Sequence, residues 1–402
     1  MPSAVMEPTT TFALRLAGRM SRLGTETAFE VLNRARALEK QGKEIIHLEI
    51  GEPDFATPSN IVDAAVDALH MGWTHYGPSA GLPDLRKEIA GYISRTRGVP
   101  VSSDEVVVVP GGKPIIFFTM LSLVDEGDEV IYPNPGFPIY ESMINYLGGR
   151  AVPIPLREER DFALDVNELA SLITDRTKVI IINSPHNPTG GVLTRRDIEK
   201  VAEAIGDRNI MVLSDEIYSR LLFDGGEHFS IISVPGMQER TILLDGFSKT
   251  YAMTGWRMGY GVMRSDLAAH MTRLMTNSNS CTASFTQIAG IEAICGDQSS
   301  VDHMRDEFQR RRDVVVAGLN KIKGFSCRMP KGAFYVFPNI TKTGWKSKAL
   351  ADALLEQAGV AALSGTAFGE YGEGFLRFSV ANSLENLQQA LERIDQWTRK
   401  NL

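Results

Sequence analysis

Thr241-Ile-Leu-Leu-Asp-Gly-Phe-Ser-Lys-Thr-Tyr-Ala-Met-Thr-Gly-Trp-Arg-Met-Gly259 begins as an apolar strand and ends as a glycine-punctuated loop. The strand, 241–244, delivers Lys249 just past its end, and Arg257 follows eight residues later among glycines. A lysine at the mouth of a strand can act as a Schiff-base nucleophile where burial or neighbouring cations lower its pKa. An arginine on a glycine-rich loop beside it is a common phosphate clamp. Taken alone, a Ser-Lys dipeptide is more often a solvated surface loop, so the meaning of Lys249 depends on what surrounds it.

Working outward, similar apolar runs recur upstream at 105–109 (EVVVV), 129–132 (EVIY), 150–154, 178–182 (KVIII) and 210–213 (IMVL). Helical patterns fill the gaps at 60–70, 83–96, 114–124, 138–147, 165–173 and 194–206. A further helix starts near residue 28 through Phe29, Val31, Leu32, Ala35 and Leu38 and stops at Gln41-Gly42, followed by a strand from Glu44 to Ile50. Near-continuous Val/Ile strands alternating with helices predict an α/β fold, a mostly parallel sheet covered by helices on both faces. Near residue 300 the texture changes to a long amphipathic stretch, Val301–Ile322, with Arg310-Arg311-Arg312 on its polar side, then short strands at 333–337 and 375–380. This predicts a smaller α+β domain at 296–402, joined by part of residues 1–52, beside a large domain at 53–295. Ligands of open α/β sheets bind beyond the carboxyl ends of the strands.

The bulk numbers narrow the function classes. The 402 residues carry 43% hydrophobic and 23% charged side chains and a formal charge of −7 with interspersed cations. That argues against a nucleic-acid partner, which needs a basic stripe. Cys281, Cys295 and Cys327 form neither a CxxC pair nor a disulfide framework, which favours a reducing, cytoplasmic setting. No apolar run approaches a membrane span, and residues 1–20 lack the charged-then-apolar order of a signal peptide and read as a mobile arm.

Four further segments carry candidate chemistry. Val106-Val-Val-Val-Pro-Gly-Gly-Lys-Pro114 ends a buried strand in Gly111-Gly112 and opens a helix, so the N–H groups of Gly112 and Lys113 would face an anion; the same pattern also makes ordinary tight turns. Ile181-Ile-Asn-Ser-Pro-His-Asn-Pro-Thr-Gly190 offers Asn187 as an amide donor to an oxyanion, or a plain turn. In Met211-Val-Leu-Ser-Asp-Glu-Ile-Tyr218, Asp215 closes a strand and Tyr218 follows three residues on; the acid could equally cap a helix. In Phe375-Leu-Arg-Phe-Ser-Val380, Arg377 shares a strand face with Phe375 and Ser379, as an edge residue or as a planar fork for a carboxylate.

An imine-forming lysine, a phosphate clamp and an acid able to pair a pyridine nitrogen together suggest pyridoxal phosphate. In this order and spacing, GEPDF, YGPSAG, GGK, NSPHNPTG, SDEIY and SKTYAMTGWRMG resemble the fold-type I, class I/II aminotransferases of the aspartate-aminotransferase superfamily, from about Thr25 to the C-terminus. The resemblance implies a seven-stranded-type sheet. It implies that Lys249 holds pyridoxal 5′-phosphate and shuttles the proton between the substrate α-carbon and the cofactor. It further implies that Asp215 pairs the pyridine nitrogen and that Tyr218 and Asn187 hold the ring 3-oxygen. Phe137 would stack on the ring, and Gly112, Lys113, Ser248 and Arg257 would hold the phosphate. Tyr76 would reach the phosphate of a second copy, which implies a homodimer with shared sites. Arg377, with the Gly51 backbone and Asn187, would bind the substrate α-carboxylate, and no metal is implied.

Two departures stand out. Gly246 supplies no hydroxyl where the family often has one, and Phe137 replaces the more usual Trp or Tyr. His186, beside Asn187, reads as structural, since Lys249 fills the base role. The expected activity is amino transfer between an L-amino acid and a 2-oxo acid by ping-pong chemistry, with β-elimination or deamination on the same scaffold as the alternative. Lys113 could bind the side-chain carboxylate of an acidic substrate, or only its backbone N–H could matter. Phe55, Phe137 and Tyr140 could equally line a pocket for an aromatic or aliphatic side chain.

Overall fold

A computed structural model describes residues 14–402. Residues 1–13 of the expected N-terminal arm lie outside the described residues. The strands, in chain order, are β1 Ile46–His47, β2 Val106–Val109, β3 Glu129–Asn134, β4 Arg150–Pro155, β5 Thr177–Asn183, β6 Met211–Asp215, β7 Thr241–Gly246, β8 Gly259–Val262, β9 Tyr335–Val336, β10 Val360–Ala361, β11 Leu363–Ser364 and β12 Leu376–Ser379. Seven of them form one sheet in the order β2-β8-β7-β6-β5-β3-β4. Only β8 runs against its neighbours; the β7/β6, β6/β5, β5/β3 and β3/β4 pairs are parallel.

Alternation along each strand feeds both faces, which is why the strands read as unbroken apolar runs. Val107, Val109, Val179, Ile181, Leu213 and Leu244 pack with the helices Lys113–Leu123, Ile139–Leu147 and Ser265–Ser278. Their strand neighbours Val106, Val108, Leu243, Ile180, Ile182 and Val212 enter the cores on the opposite face. Each fully buried Val, Ile or Leu there contributes about 1.5–3 kcal/mol of transfer free energy.

The apolar pattern marks six strands of this sheet and passes over β8, whose Gly-Tyr-Gly-Val has only alternate side chains to offer. The glycines are required by close packing. A Cβ on Gly259 would stand 2.8 Å from the Gly112 nitrogen, and one on Gly261 2.8 Å from Ile115. The missing Gly246 hydroxyl has a similar cause, since a Cβ there would lie 2.9 Å from the Gly259 Cα.

The remaining strands lie outside the large sheet. β12 is the central strand of β11-β12-β9, so Arg377 is not an edge residue. β1 pairs in parallel with β10, and only Ile46–His47 of the expected 44–50 strand is regular. The long helix spans Ser299–Leu319. Its arginines correct the sequence reading, because Arg310 is on the polar side but Arg311 and Arg312 are buried, 7% and 2% exposed. Ion pairs allow this: Arg311 binds Asp54 and Glu307, and Arg312 binds Asp224 and Asp313.

Candidate active site

Parallel register brings the strand ends together. Asn183 at the end of β5 lies opposite Asp215 at the end of β6, and Asp215 lies opposite Leu244 of β7. Beyond β5, the backbone N–H of Asn187 donates to Asn183 Oδ1 at 3.0 Å, which fixes the polar loop over the strand ends. Beyond β7, the chain coils tightly, with Tyr251 N–H on Phe247 O and Met253 N–H on Ser248 O, both at 3.1 Å. It then returns to the sheet at Gly259, which pairs with Gly246. Within this loop Ala252 and Arg257 adopt φ of 50° and 53°, a left-handed conformation uncommon for residues with side chains and a frequent mark of functional sites.

Lys249 lies beyond the end of β7, and its ammonium donates to the Gly51 carbonyl. Desolvation lowers its pKa to about 8, helped by the positive charges of Arg377 and Arg257 and opposed by Glu52 and Glu26. The Asp215 carboxylate accepts from the Tyr140 hydroxyl at 2.6 Å and from the Ile217 N–H at 3.3 Å. Burial raises its pKa to about 6 despite those bonds. Tyr140 is therefore not a pocket-lining side chain: it is fully buried and serves Asp215. Tyr218, 3% exposed, shares a 2.8 Å hydrogen bond with the Tyr335 hydroxyl.

Gly111, Gly112 and Lys113 form the turn into the Lys113–Leu123 helix, whose first N–H groups lack intrahelical partners and would suit an anion. Gly111 has φ of +85°, and a Cβ on it would stand 2.2 Å from the Arg257 guanidinium; glycine is what lets that cation come alongside the helix start. Ser248, 8% exposed, precedes Lys249 in the same loop. The Lys113 ammonium forms an ion pair with Glu26 and sits 5.7 Å from the centre of the Phe137 ring. Phe137 in turn packs edge-on to Tyr140 at 5.7 Å. Phe55 packs edge-on to Phe308 and beneath Arg311.

Arg377 is 4% exposed and lies over Tyr335 and Phe368, 4.4 and 4.9 Å from their ring centres. It donates to the Glu49 carbonyl and, at 3.3 Å, to Asn187 Oδ1, while its buried Nε has no partner. Gly51 is held against Tyr335, whose hydroxyl would be 2.3 Å from a Cβ at that position. Tyr76 is 90% exposed on this single chain. His186 is buried, shares a hydrogen bond with Thr189 at 2.8 Å, and is held neutral by desolvation to a pKa of about 3, in keeping with a structural role.

Sequence reasoning missed Tyr335 and Glu26 altogether. Tyr335 lies on β9 in an apolar pattern, 117 residues from Tyr218, and Glu26 is one of many acids, 87 residues from Lys113. Neither has a local motif to mark it.

The donor set fits pyridoxal phosphate. A glycine-lined helix start beside a guanidinium suits a phosphate, a buried carboxylate suits a pyridinium nitrogen, and the orphaned Arg377 Nε suits a carboxylate oxygen. Among the described residues no group of three or more His, Cys, Asp or Glu side chains is arranged around a metal position.

Comparison with known proteins agrees. The family model Aminotransferase class I and II matches residues 43–394. The chain is 42% identical over 368 residues to an aspartate aminotransferase of Pyrococcus horikoshii, spanning 91% of this chain and 93% of that protein. It is 37% identical over 385 residues to aromatic-amino-acid aminotransferase 2 of Thermococcus litoralis, spanning 95% and 98%. The solved structure of the Thermus thermophilus aspartate aminotransferase with maleate superposes with a TM-score of 0.91 at 35% identity, over 96% of this chain and 100% of that one. These relatives are aminotransferases, which disfavours the lyase alternative. The chain belongs to the class I and II aminotransferases and is a pyridoxal 5′-phosphate-dependent transferase of fold type I.

Proposed function

We propose that the enzyme transfers the α-amino group of an acidic L-amino acid to a 2-oxo acid, and that each site residue acts as follows. Bound pyridoxal phosphate supplies a carbonyl that takes up the amino group and a ring that accepts electrons. Lys249 would hold the cofactor through its amine, and with that amine free it would move the proton at the substrate α-carbon. Its depressed pKa keeps much of it neutral and nucleophilic near neutral pH. Asp215 meets the pyridine nitrogen, with the Tyr140 hydroxyl fixing its orientation. Tyr218 and Asn187 would serve the ring 3-oxygen, and Phe137 would lie against the ring. The N–H groups of Gly112 and Lys113, the Ser248 hydroxyl and Arg257 receive the phosphate. Arg377, with Asn187 and the Gly51 backbone, orients the α-carboxylate. We assign residues 53–295 to a large cofactor-binding domain and, of the described residues, 14–52 with 296–402 to the arm and small domain.

The observation that carries the acidic-substrate reading is the Lys113 ammonium above Phe137, already paired to a carboxylate. A side-chain carboxylate of aspartate or glutamate would take the same partner. The maleate in the related Thermus structure is a four-carbon dicarboxylate, as aspartate is. In a panel of donors and acceptors, Lys113→Ala is expected to raise KM for aspartate and glutamate about tenfold more than for phenylalanine, the value of one charge-assisted hydrogen bond. An equal rise for all donors would refute the reading.

The same proposal includes a cytoplasmic homodimer with shared sites. Its support is Tyr76 together with the outward apolar side chains Val62, Val66, Leu69, Met71 and Trp73, all 36% or more exposed on one chain.

A further inference from the structure

We propose that Glu26 sets side-chain specificity: it is an internal carboxylate that occupies Lys113 when the substrate side chain is neutral and yields it to the carboxylate of an acidic one. The proposal rests on the acidic-substrate reading above and adds the residue that competes for the same ammonium.

The placement of Glu26 supports this. It lies just before the helix Ala28–Glu39, yet Thr27 makes no side-chain cap and Glu26 bonds Lys113 rather than the helix N-terminus. The segment is tethered on its near side to the helix Ile139–Leu147. Arg22 donates to the carbonyls of Asn145 and Tyr146 at 2.8 and 3.2 Å, and the Gly24 N–H donates to Ser142 Oγ at 2.9 Å. Glu26 therefore sits between a tether and a helix start, and it releases Lys113 by side-chain rotation without release of the segment. Its side chain is 18% exposed against 43% for Lys113. Its negative charge acts on Lys249 and Arg377 as well, so the carboxylate lies within electrostatic reach of both cations.

The energetics match a switch. A half-exposed ion pair is weak, so a substrate carboxylate held at its other end by Arg377 can displace it. A neutral side chain would otherwise have to desolvate a bare ammonium. With Glu26 in place it meets a neutralised pair beside the Phe137 ring. One pocket then accepts both classes, with the internal acid moderating the preference for acids.

The test measures binding to the holoenzyme by calorimetry, with maleate as the dicarboxylate and 3-phenylpropionate as the neutral-side-chain probe. Wild type, Glu26→Gln, Glu26→Ala, Lys113→Met and the Glu26→Gln/Lys113→Met double variant are compared. Removing the Glu26 charge is expected to tighten maleate binding about fivefold and to weaken 3-phenylpropionate about threefold, the scale of one half-exposed ion pair. The aspartate-to-phenylalanine ratio of kcat/KM should rise in parallel. In the Lys113→Met background the Glu26 change should lose most of its effect on maleate binding, leaving a change of less than about twofold. If folded Glu26 variants keep the wild-type ratio of the two dissociation constants, Glu26 is a structural residue only and the proposal fails. If Lys113→Met itself leaves the maleate preference intact, the acidic-substrate reading fails first and takes this proposal with it.

Discussion

Glu216 follows Asp215 directly, yet the two carboxylates belong to opposite kinds of charged region. Glu216 is 1% exposed and binds Arg97 at 2.8 Å and His228 at 2.7 Å, and it accepts from the hydroxyls of Ser214 and Ser230. Arg97 also reaches Asp245 at 3.5 Å, and Ser219 donates to that carboxylate at 3.1 Å. Both carboxylates and the Arg97 guanidinium there have charged or hydroxyl partners within the fold, with only the far ring nitrogen of His228 left over, and although burial favours protonation, His228 and Arg97 hold the Glu216 carboxyl down at about 2. Around Asp215 the bookkeeping is different. Lys249 and Arg377 lean on the carbonyls of Gly51 and Glu49, and one guanidinium nitrogen is left without an acceptor. Around Glu216 charges paired within the fold hold the scaffold, while Lys249 and Arg377, resting on backbone carbonyls, are available to a ligand.

The strongest attempt to break this contrast is Lys249→Ala, expected to reduce turnover by roughly 10⁴-fold or more and to remove the borohydride-trappable adduct with the cofactor. A persisting adduct would move the anchor to another lysine. Next, Arg97→Met should cost about 3–5 kcal/mol in urea unfolding, because it removes the buried cation shared by the Glu216 and Asp245 carboxylates. Arg377→Met should lower kcat/KM about 100-fold through loss of a charge-assisted fork. It should leave the unfolding midpoint unchanged or raised, since no internal carboxylate loses a partner. Equal stability losses in the two arginine variants would abolish the distinction.

The smallest effect is one of pH. The neutral amine is the nucleophile, and the folded pKa of Lys249 is depressed from 10.5 to about 8. The neutral fraction at pH 7.5 is then about a quarter, against about one in a thousand for an ordinary lysine. The rate of covalent cofactor capture by the apoenzyme should rise with pH and level off above about 8. A rise continuing to pH 10 would mean that Lys249 is not desolvated.

Much of this was legible in the chain. The Val/Ile runs marked β2 to β7 because strands buried on both faces carry apolar side chains at every position. Lys249, Asp215 and Asn187 stood out as polar residues just past such runs. β8 was not legible, because Gly259 and Gly261 are selected by what presses on them, the 111–112 turn and Ile115, and a close approach leaves no apolar signature. Tyr140 looked like a pocket wall since its 75-residue link to Asp215 exists only after folding. Arg311 and Arg312 looked solvent-facing for the same reason, their partners Asp54 and Asp224 being remote in sequence.

The Gly246–Gly259 pair has one more consequence. It closes a loop that contains both the lysine proposed to form the imine and the guanidinium proposed for the phosphate, so the entropy of bringing those two cations together is lost once, when the sheet folds. A ligand with an aldehyde at one end and a phosphate at the other then arrives at a template of set span. Lengthening that loop by a few residues would weaken retention of the cofactor while leaving every side chain that touches it in place.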